Sequence, residues 1–168
     1  GAYLSHDRGL IPTFLNVGVL AGVYTTPAIH SIVTAVFSNT NPTSPYRGAG
    51  RPEAAYVLES MIDLAAVELG MDRIELRRKN TIPPEAMPFK TGLTYTYDCG
   101  EFEKNMDRTL EMIDYTGFEE RRAKAKTRGK LRGLGLSNTI ERAAAPIPDS
   151  VEVRFDSSGT VTILAGTK

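Results

Sequence analysis

Residues 45–52, Pro45-Tyr46-Arg47-Gly48-Ala49-Gly50-Arg51-Pro52, lead directly into Glu53-Ala54-Ala55-Tyr56-Val57-Leu58-Glu59-Ser60-Met61-Ile62-Asp63-Leu64-Ala65-Ala66-Val67-Glu68-Leu69-Gly70. Proline suits a first helical position because the N–H it lacks would be unpaired there, so Pro52 opens a helix. Gly70 stops that helix as the residue after its last turn. Val57, Leu58, Met61, Ile62, Leu64, Ala65 and Leu69 form a broad apolar face, and Glu53, Glu59, Asp63 and Glu68 sit mostly elsewhere. The small residues of the preceding turn let another molecule approach its backbone. The helix start offers free N–H groups and the positive end of the dipole, both favouring an anion. Arg47 and Arg51 flank the turn, each able to grip an oxyanion with a fork of donors. The turn therefore reads in two ways: a site for an anionic group or oxo ligand, or a tight turn whose arginines form salt bridges. No Gly-Lys-Ser or Gly-Lys-Thr follows, so it is not a phosphate-binding P-loop.

Outward from this stretch the pattern is mixed. Residues 1–26 read as a buried, partly helical or irregular segment. Residues 28–39 are rich in β-branched side chains without clean alternation, which predicts a strand buried on both faces. Asp72 and Glu75 resemble a capping box for a second helix through Arg77 and Arg78. Asn80 ends that helix, and Pro83-Pro84 forbids its continuation. A loop with an extended piece at Leu93–Tyr97 follows. Phe102, Met106, Leu110 and Ile113 recur at helical spacing, and another helix is predicted over 117–127. After Gly129, residues 131–140 read as a strand. Val151–Phe155 and Thr160–Leu164, joined by Asp156-Ser157-Ser158-Gly159, predict a hairpin. Strands and helices are interspersed without regular βαβ alternation, so the fold class is α+β. A composition shift near residue 129, from a strongly basic helix to a β-rich stretch, predicts a boundary between units 1–129 and 130–168.

Composition narrows the function classes. The 168 residues carry 20 Lys plus Arg and 20 Asp plus Glu, so the formal net charge is zero. That removes the basic field on which nucleic-acid binding relies. One cysteine, Cys99, allows no internal disulfide and no zinc or iron–sulfur cluster, and suits a reducing, cytoplasmic compartment. Two histidines, His6 and His30, are too few and too far apart for a local metal motif. His30 reads as a hydrogen-bonded core residue and His6 as a surface or turn residue. No apolar run approaches the ~18 residues of a membrane span. Cys99 has no activating partner nearby in sequence and reads as structural or incidental. Gly133-Leu134-Gly135 reads as a strand packed closely on another backbone rather than a dinucleotide fingerprint. Glu141 could be a base at a strand end, although a strand-end ion pair is the more economical reading. The basic run 121–132 reads as a solvated helix face, paired locally with Glu119 and Glu120. The opening Gly1-Ala2 and the ending at Lys168, just after a strand-like run, both read as cut ends.

Several ordered motifs carry a resemblance. Gly22-Val23-Tyr24 with Pro27-Ala28, Asn39-Thr40-Asn41-Pro42-Thr43, and Tyr46-Arg47-Gly48-Ala49-Gly50-Arg51-Pro52-Glu53-Ala54 resemble the large subunits of xanthine dehydrogenase, aldehyde oxidase and carbon monoxide dehydrogenase. Glu75-Leu76-Arg77-Arg78-Lys79-Asn80, Ile82-Pro83-Pro84-Glu85-Ala86-Met87-Pro88, and Tyr97-Asp98 with Gly100-Glu101-Phe102 continue it along the chain. The resemblance implies an internal fragment of the molybdopterin-binding region of a molybdenum hydroxylase. Units 1–129 and 130–168 would then be the end of one cofactor-binding domain and the start of the next. Such subunits hold molybdenum through molybdopterin, usually as the cytosine dinucleotide in bacteria, and hydroxylate a small-molecule substrate with oxygen from water. Electrons pass to [2Fe-2S] and FAD centres, often on separate subunits. By this match Arg47, Gly48, Ala49 and Gly50 lie at the cofactor, and Tyr46 and Ala49 face the substrate pocket. Gly48 stands where copper-dependent carbon monoxide dehydrogenases carry a cysteine, and Ala49 where purine hydroxylases carry an aromatic. The Arg-Gly-Ala-Gly-Arg loop resembles the group labelled carbon monoxide dehydrogenase-like, and the resemblance implies an aldehyde or aromatic heterocycle as the substrate class. The family's catalytic glutamate matches no residue here, Glu141 included, so no catalytic residue is expected in the chain, and the fragment is expected to be inactive and to bind no cofactor tightly by itself. The rival reading is a stand-alone assembly module, or an anion-binding module using Arg47 and Arg51.

Overall fold

A computed structural model describes residues 11–42, 44–141 and 150–165. Five helices and two small antiparallel strand pairs make an α+β fold. In chain order these are α1 (Ile11–Val19), α2 (Arg51–Leu69), α3 (Arg73–Asn80), a 3₁₀ turn at Pro84–Ala86, β1 (Phe89–Lys90), β2 (Thr96–Tyr97), α4 (Phe102–Met112), α5 (Phe118–Lys126), β3 (Val151–Phe155) and β4 (Val161–Ala165).

The helix boundaries follow the signals that local chemistry gives. Pro52 sits in the first turn of α2, and Gly70 closes it at φ 61°, its N–H reaching the carbonyls of Ala66 and Val67. Asp72 caps α3 by accepting from the N–H groups of Ile74 and Glu75, at 2.8 and 3.1 Å. The reciprocal half of the capping box is absent, because Glu75 pairs with Lys79 one turn on, at 3.2 Å. Met106 and Leu110 of α4 pack on Ile74 of α3, with Tyr115 and Leu136 against them. That cluster realises the spacing of four seen in the sequence. Arg122–Glu119 and Lys124–Glu120 pair along the exposed face of α5, as its charge pattern predicts.

The segment after α1 is the best-buried part of the chain. Ala21, Val23 and Tyr24 are almost fully enclosed. Backbone bonds from Thr25 N–H to Asn80 O and from Ile82 N–H to Val23 O, at 2.8 and 2.9 Å, stitch this segment to the end of α3. The Tyr97 hydroxyl donates to Gly22 O at 2.8 Å and ties in the small β1–β2 hairpin. In that hairpin Phe89 faces Tyr97 and Lys90 faces Thr96, so only the end of the extended piece expected over 93–97 is strand.

Four expectations are corrected. Residues 28–39 form no strand, and Ile32 and Phe37 are 81% and 78% exposed. β-branched composition favours a pleated, half-buried surface, but a strand also needs a backbone partner alongside. No such partner lies beside 28–39 among the described residues. His30, expected in the core, is exposed for the same reason. Residues 131–140 are also not a strand. They form an extended strap whose backbone groups are taken by side chains instead of a neighbouring strand. Gly133 and Gly135 have nothing within 4 Å of a notional side chain, so the close backbone packing expected there does not occur. Of the broad apolar face of α2, Leu58 and Ile62 are partly buried and most of the rest is exposed. Val57, Met61, Leu64 and Leu69 are half or more exposed, and Ala54, Glu59 and Ala66 are buried.

The hairpin β3–β4 forms as the sequence predicts, with Val151 opposite Ala165 and Phe155 opposite Val161. Asp156 organises its turn, accepting from the N–H groups of Ser158 and Thr160 at 2.8 and 3.2 Å. The hydrogen bonds from Ser158 hold the Asp156 carboxyl below its ordinary pKa. Residues 1–10, including His6, lie outside the described residues.

Two buried phenols give the fold an alkaline limit. Burial pushes the Tyr24 hydroxyl well above its ordinary pKa, and its bond to the Glu59 carboxylate pushes it the same way. Burial also raises Tyr97, to about 12. An unfolded tyrosine ionises near pH ~10. Above that pH the unfolded chain releases protons that the native chain keeps, so this contribution is complete below pH ~10 and is lost as pH rises through the folded values. In an alkaline titration, two of the seven tyrosines should give phenolate absorbance only as the helical circular dichroism disappears. Ionisation of all seven with the dichroism intact would contradict this.

Candidate cofactor-facing loop and its anchor

The turn at 46–51 is built by its own backbone. Ala49 N–H donates to Tyr46 O at 2.8 Å, and Arg51 N–H donates to Gly48 O at 2.9 Å. Gly48 and Gly50 take φ values of 81° and 87°. These lie in the left-handed region that costs a side-chain-bearing residue about 1–2 kcal/mol. The two glycines have different surroundings. A Cβ on Gly50 would stand 2.4 Å from the backbone nitrogen of Asn16, so this glycine lets α1 pack against the start of α2. A Cβ on Gly48 would meet nothing closer than 3.6 Å. Gly48 therefore has room for a Cβ beside Glu141 and Pro52, and at Gly50 the space is filled by α1.

The helix start is a weaker anion site than the sequence suggests. Pro52 has no N–H, and the N–H groups of Arg51 and Ala54 already bond to Gly48 O and Gly50 O. Arg51 is not available either. Its Nη1 donates to Ala49 O at 3.2 Å, and its Nε lies 3.0 Å from Glu141 Oε1. That second approach is a charge contact without the alignment of a hydrogen bond. Of the two readings of the arginines, Arg51 follows the salt-bridge one, and Glu141 is its partner. Arg47 is exposed and makes no ion pair among the described residues, and Tyr46 beside it is 87% exposed. Behind the turn, Arg51, Ala55, Glu59, Asn138 and Ile140 help line a cavity of about 20 Å³. Organic ligands occupy pockets of roughly 300–1,000 Å³, so any ligand of this turn lies on its outer side.

Behind that cavity is a buried ionic network that sequence reasoning missed. The side chain of Arg77 is fully enclosed and that of Glu59 is 7% exposed. Glu59 accepts from the Tyr24 hydroxyl at 2.7 Å, from Arg77 Nε at 2.9 Å and from the Asn138 backbone N–H at 3.1 Å. Arg77 Nη1 donates to Asp63 Oδ1 at 2.8 Å and Arg73 O at 3.1 Å. Its Nη2 reaches Glu59 O at 3.3 Å and Leu136 O at 3.5 Å. All five guanidinium protons thus have acceptors. Burial by itself would lower the Arg77 pKa, but the hydrogen bond to Asp63 and the Glu59 carboxylate outweigh it and leave it raised. Arg73 Nη1 adds a bond to Leu134 O at 3.0 Å. The strap is thus fastened to α2 and α3 and delivers Glu141 to the loop. A local signal existed: Glu59 and Asp63 are four apart on one helix, Arg73 and Arg77 four apart on the next, and only a short turn separates the helices.

Cys99 is exposed, and its thiol pKa is raised by the hydrogen bond to Asp98, which disfavours the reactive thiolate. Among the described residues no group of His, Cys, Asp and Glu is arranged to hold a metal ion, and no helix is long and apolar enough to cross a membrane.

Comparison with known proteins gives the family. Residues 1–81 match the molybdopterin cofactor-binding domain family. The carbon monoxide dehydrogenase large chain of Afipia carboxidovorans is 32% identical over 92% of this chain. The crystal structure of quinoline 2-oxidoreductase from Pseudomonas putida 86 superposes over 92% of the chain with a TM-score of 0.75 and 32% identity. The chain belongs to the molybdenum hydroxylase family. A further relative in Paenarthrobacter nicotinovorans, the gamma subunit of the 6-hydroxypseudooxynicotine dehydrogenase complex, is 29% identical over 99% of the chain. This molybdenum hydroxylase segment spans about a fifth of these relatives, 21% of each. The match includes the turn at 46–51 and both helices that carry the ionic network.

Proposed function

We propose that this segment forms one wall of the molybdenum cofactor and substrate site of a molybdenum hydroxylase subunit. The observation that carries the reading is the outward turn at 46–50, where Arg47 is exposed and Gly48 is uncrowded, at the head of a helix that family relatives share. These residues fit an anionic pterin cofactor. Gly48 lets the turn take its left-handed backbone, and the exposed Arg47 supplies donors and charge beside it. Arg47, Gly48 and Ala49 would face the cofactor, while Tyr46 and Ala49 line the substrate side; Gly50, expected at the cofactor, is closed off by α1 instead. When bound, the molybdenum centre supplies two-electron oxidation with oxygen from water, and the cytosine dinucleotide form is the one proposed. Arg47 binds and orients. Gly50 sets the turn by letting α1 close behind it.

The proposed substrate is an aromatic heterocycle or aldehyde, the heterocycle being favoured by relatives named for quinoline and 6-hydroxypseudooxynicotine. A [2Fe-2S] subunit and an FAD subunit would take the electrons, in the cytoplasm. Residues 1–129 would close one cofactor-binding domain and 130–168 begin the next. The test is expression of the native reading frame with its neighbouring genes. The purified complex should contain stoichiometric molybdenum by elemental analysis, and should reduce an artificial acceptor with quinoline or benzaldehyde in preference to carbon monoxide. Arg47→Ala should lower turnover by about a hundredfold, as loss of a preorganised charged contact does. The 168-residue chain purified by itself should hold no stoichiometric molybdenum and show no turnover. Absence of molybdenum from the full complex would overturn the reading.

A further inference from the structure

Glu141 pairs with the Arg51 end of the turn and lies beside its Gly48 end. Its Oε1 lies 3.0 Å from Arg51 Nε. Its Oε2 lies 3.6 Å from the point where a side chain on Gly48 would begin. Arg51 in turn holds Ala49 O. The carboxylate therefore lies on the side-chain side of Gly48 and acts on the middle and end of the turn through Arg51. Its own position is set from behind, because the strap is pinned three residues earlier by the bond from Asn138 N–H to Glu59 Oε2, at 3.1 Å. A chain of contacts thus runs from the buried Arg77–Glu59 pair, along the strap, to the outward turn.

We propose that Glu141 is a positioning residue for the Arg47-bearing turn. It fixes the geometry of residues 48–51 and neutralises Arg51, so that Arg47 presents the turn's uncompensated positive charge. The proposal rests on the cofactor-facing reading of that turn. Two features separate this role from a simple stabilising pair. First, the Glu141 side chain is 54% exposed, and exposed ion pairs add little to global stability. Second, its removal would act at the turn, freeing Arg51 to compete with Arg47 for the same anion. Glu141 stands apart from the reacting atoms and acts through Arg51.

The test uses the native reading frame, expressed with its partner subunits, as Glu141→Gln, Glu141→Asp and Arg51→Lys variants. One measurement is amide hydrogen exchange, comparing the peptide that spans residues 45–52 with a peptide from α4. Glu141→Gln should speed exchange of the turn peptide by about fivefold or more, consistent with opening of a local unit, while the α4 peptide is unchanged. Glu141→Asp should restore part of the protection, because the charge is kept and the reach shortened. Arg51→Lys should behave like Glu141→Gln, because lysine lacks the fork that spans Ala49 O and Glu141. The second measurement is the Mo(V) electron paramagnetic resonance spectrum of the partly reduced complex, which a purely structural pair would leave unmoved and which Glu141→Gln should shift at unchanged molybdenum content. Unchanged turn exchange in Glu141→Gln would overturn the proposal, as would a rise shared equally by α4. Faster turn exchange with an unmoved spectrum would also overturn it, since the pair would then serve stability only. A wild-type complex without molybdenum would sink the cofactor reading, and the exchange comparison would still decide whether Glu141 holds the turn.

Discussion

Arg77→Met should be the most damaging single substitution in this chain, destabilising it by about 3–5 kcal/mol. Removing one partner of a buried ion pair leaves the other charge uncompensated, and that is the cost such changes carry. Here the orphan is Glu59, whose remaining donors are the Tyr24 hydroxyl and the Asn138 N–H. Asp63, 39% exposed, can rehydrate and adds little to the loss. Domains of this size are stable by only ~5–15 kcal/mol, so the variant should be largely unfolded or should melt far below the parent. Urea denaturation followed by circular dichroism measures the difference. Adding Glu59→Met should recover part of it, since an apolar pair of similar volume avoids the buried charge. The recovery should be incomplete because Asn138 N–H and the Tyr24 hydroxyl lose their acceptor. A single variant within ~1 kcal/mol of wild type would show that the network carries no such weight.

The second large effect separates two glycines that look equivalent in sequence. Gly50→Ala should cost about 2–5 kcal/mol, the sum of left-handed backbone strain and overpacking. Its Cβ would stand 2.4 Å from Asn16 N and 2.7 Å from the Leu15 carbonyl carbon, so the helix axes must separate. Gly48→Ala faces only the strain, about 1–2 kcal/mol, because its Cβ makes an ordinary contact. Thermal denaturation of both variants should rank Gly50→Ala clearly lower. Equal melting temperatures would mean that α1 does not press on the turn as described.

These two residues show what the sequence could and could not disclose. That the segment Arg47–Gly50 is a special turn ahead of a helix was legible, because glycine spacing and a following proline have local meanings. Which glycine has room for a Cβ was not, since Gly50 is crowded by Asn16, and sequence distance hides that contact. The same holds for Arg77 and Glu59. Periodicity gave α2 a broad apolar face, whereas its buried residues are Ala54, Glu59 and Ala66. An amphipathic pattern says which face is apolar but not which neighbour is present to cover it. Residues 28–39 failed as a strand for the same reason. Elements closed by local chemistry were read correctly: the Gly70 stop, the Asp72 cap and the Asp156 turn.

The strap at 131–140 implies a rule for how this region can vary over evolutionary time. Its fastening uses the carbonyls of Leu134 and Leu136, held by Arg73 and Arg77, and the Asn138 N–H, held by Glu59. Alternate residues of an extended chain point to the same side, so the paired helices α2 and α3 can grasp positions 134, 136 and 138 together. None of these three bonds uses the identity of a strap side chain. Residues 131–135 are therefore free to drift in composition, while their number relative to Glu141 is not. A one-residue insertion or deletion between 134 and 141 would turn the wrong backbone groups toward the arginines and withdraw the carboxylate from Arg51. Among descendants of this sequence, spacing in the strap should persist long after its letters have changed.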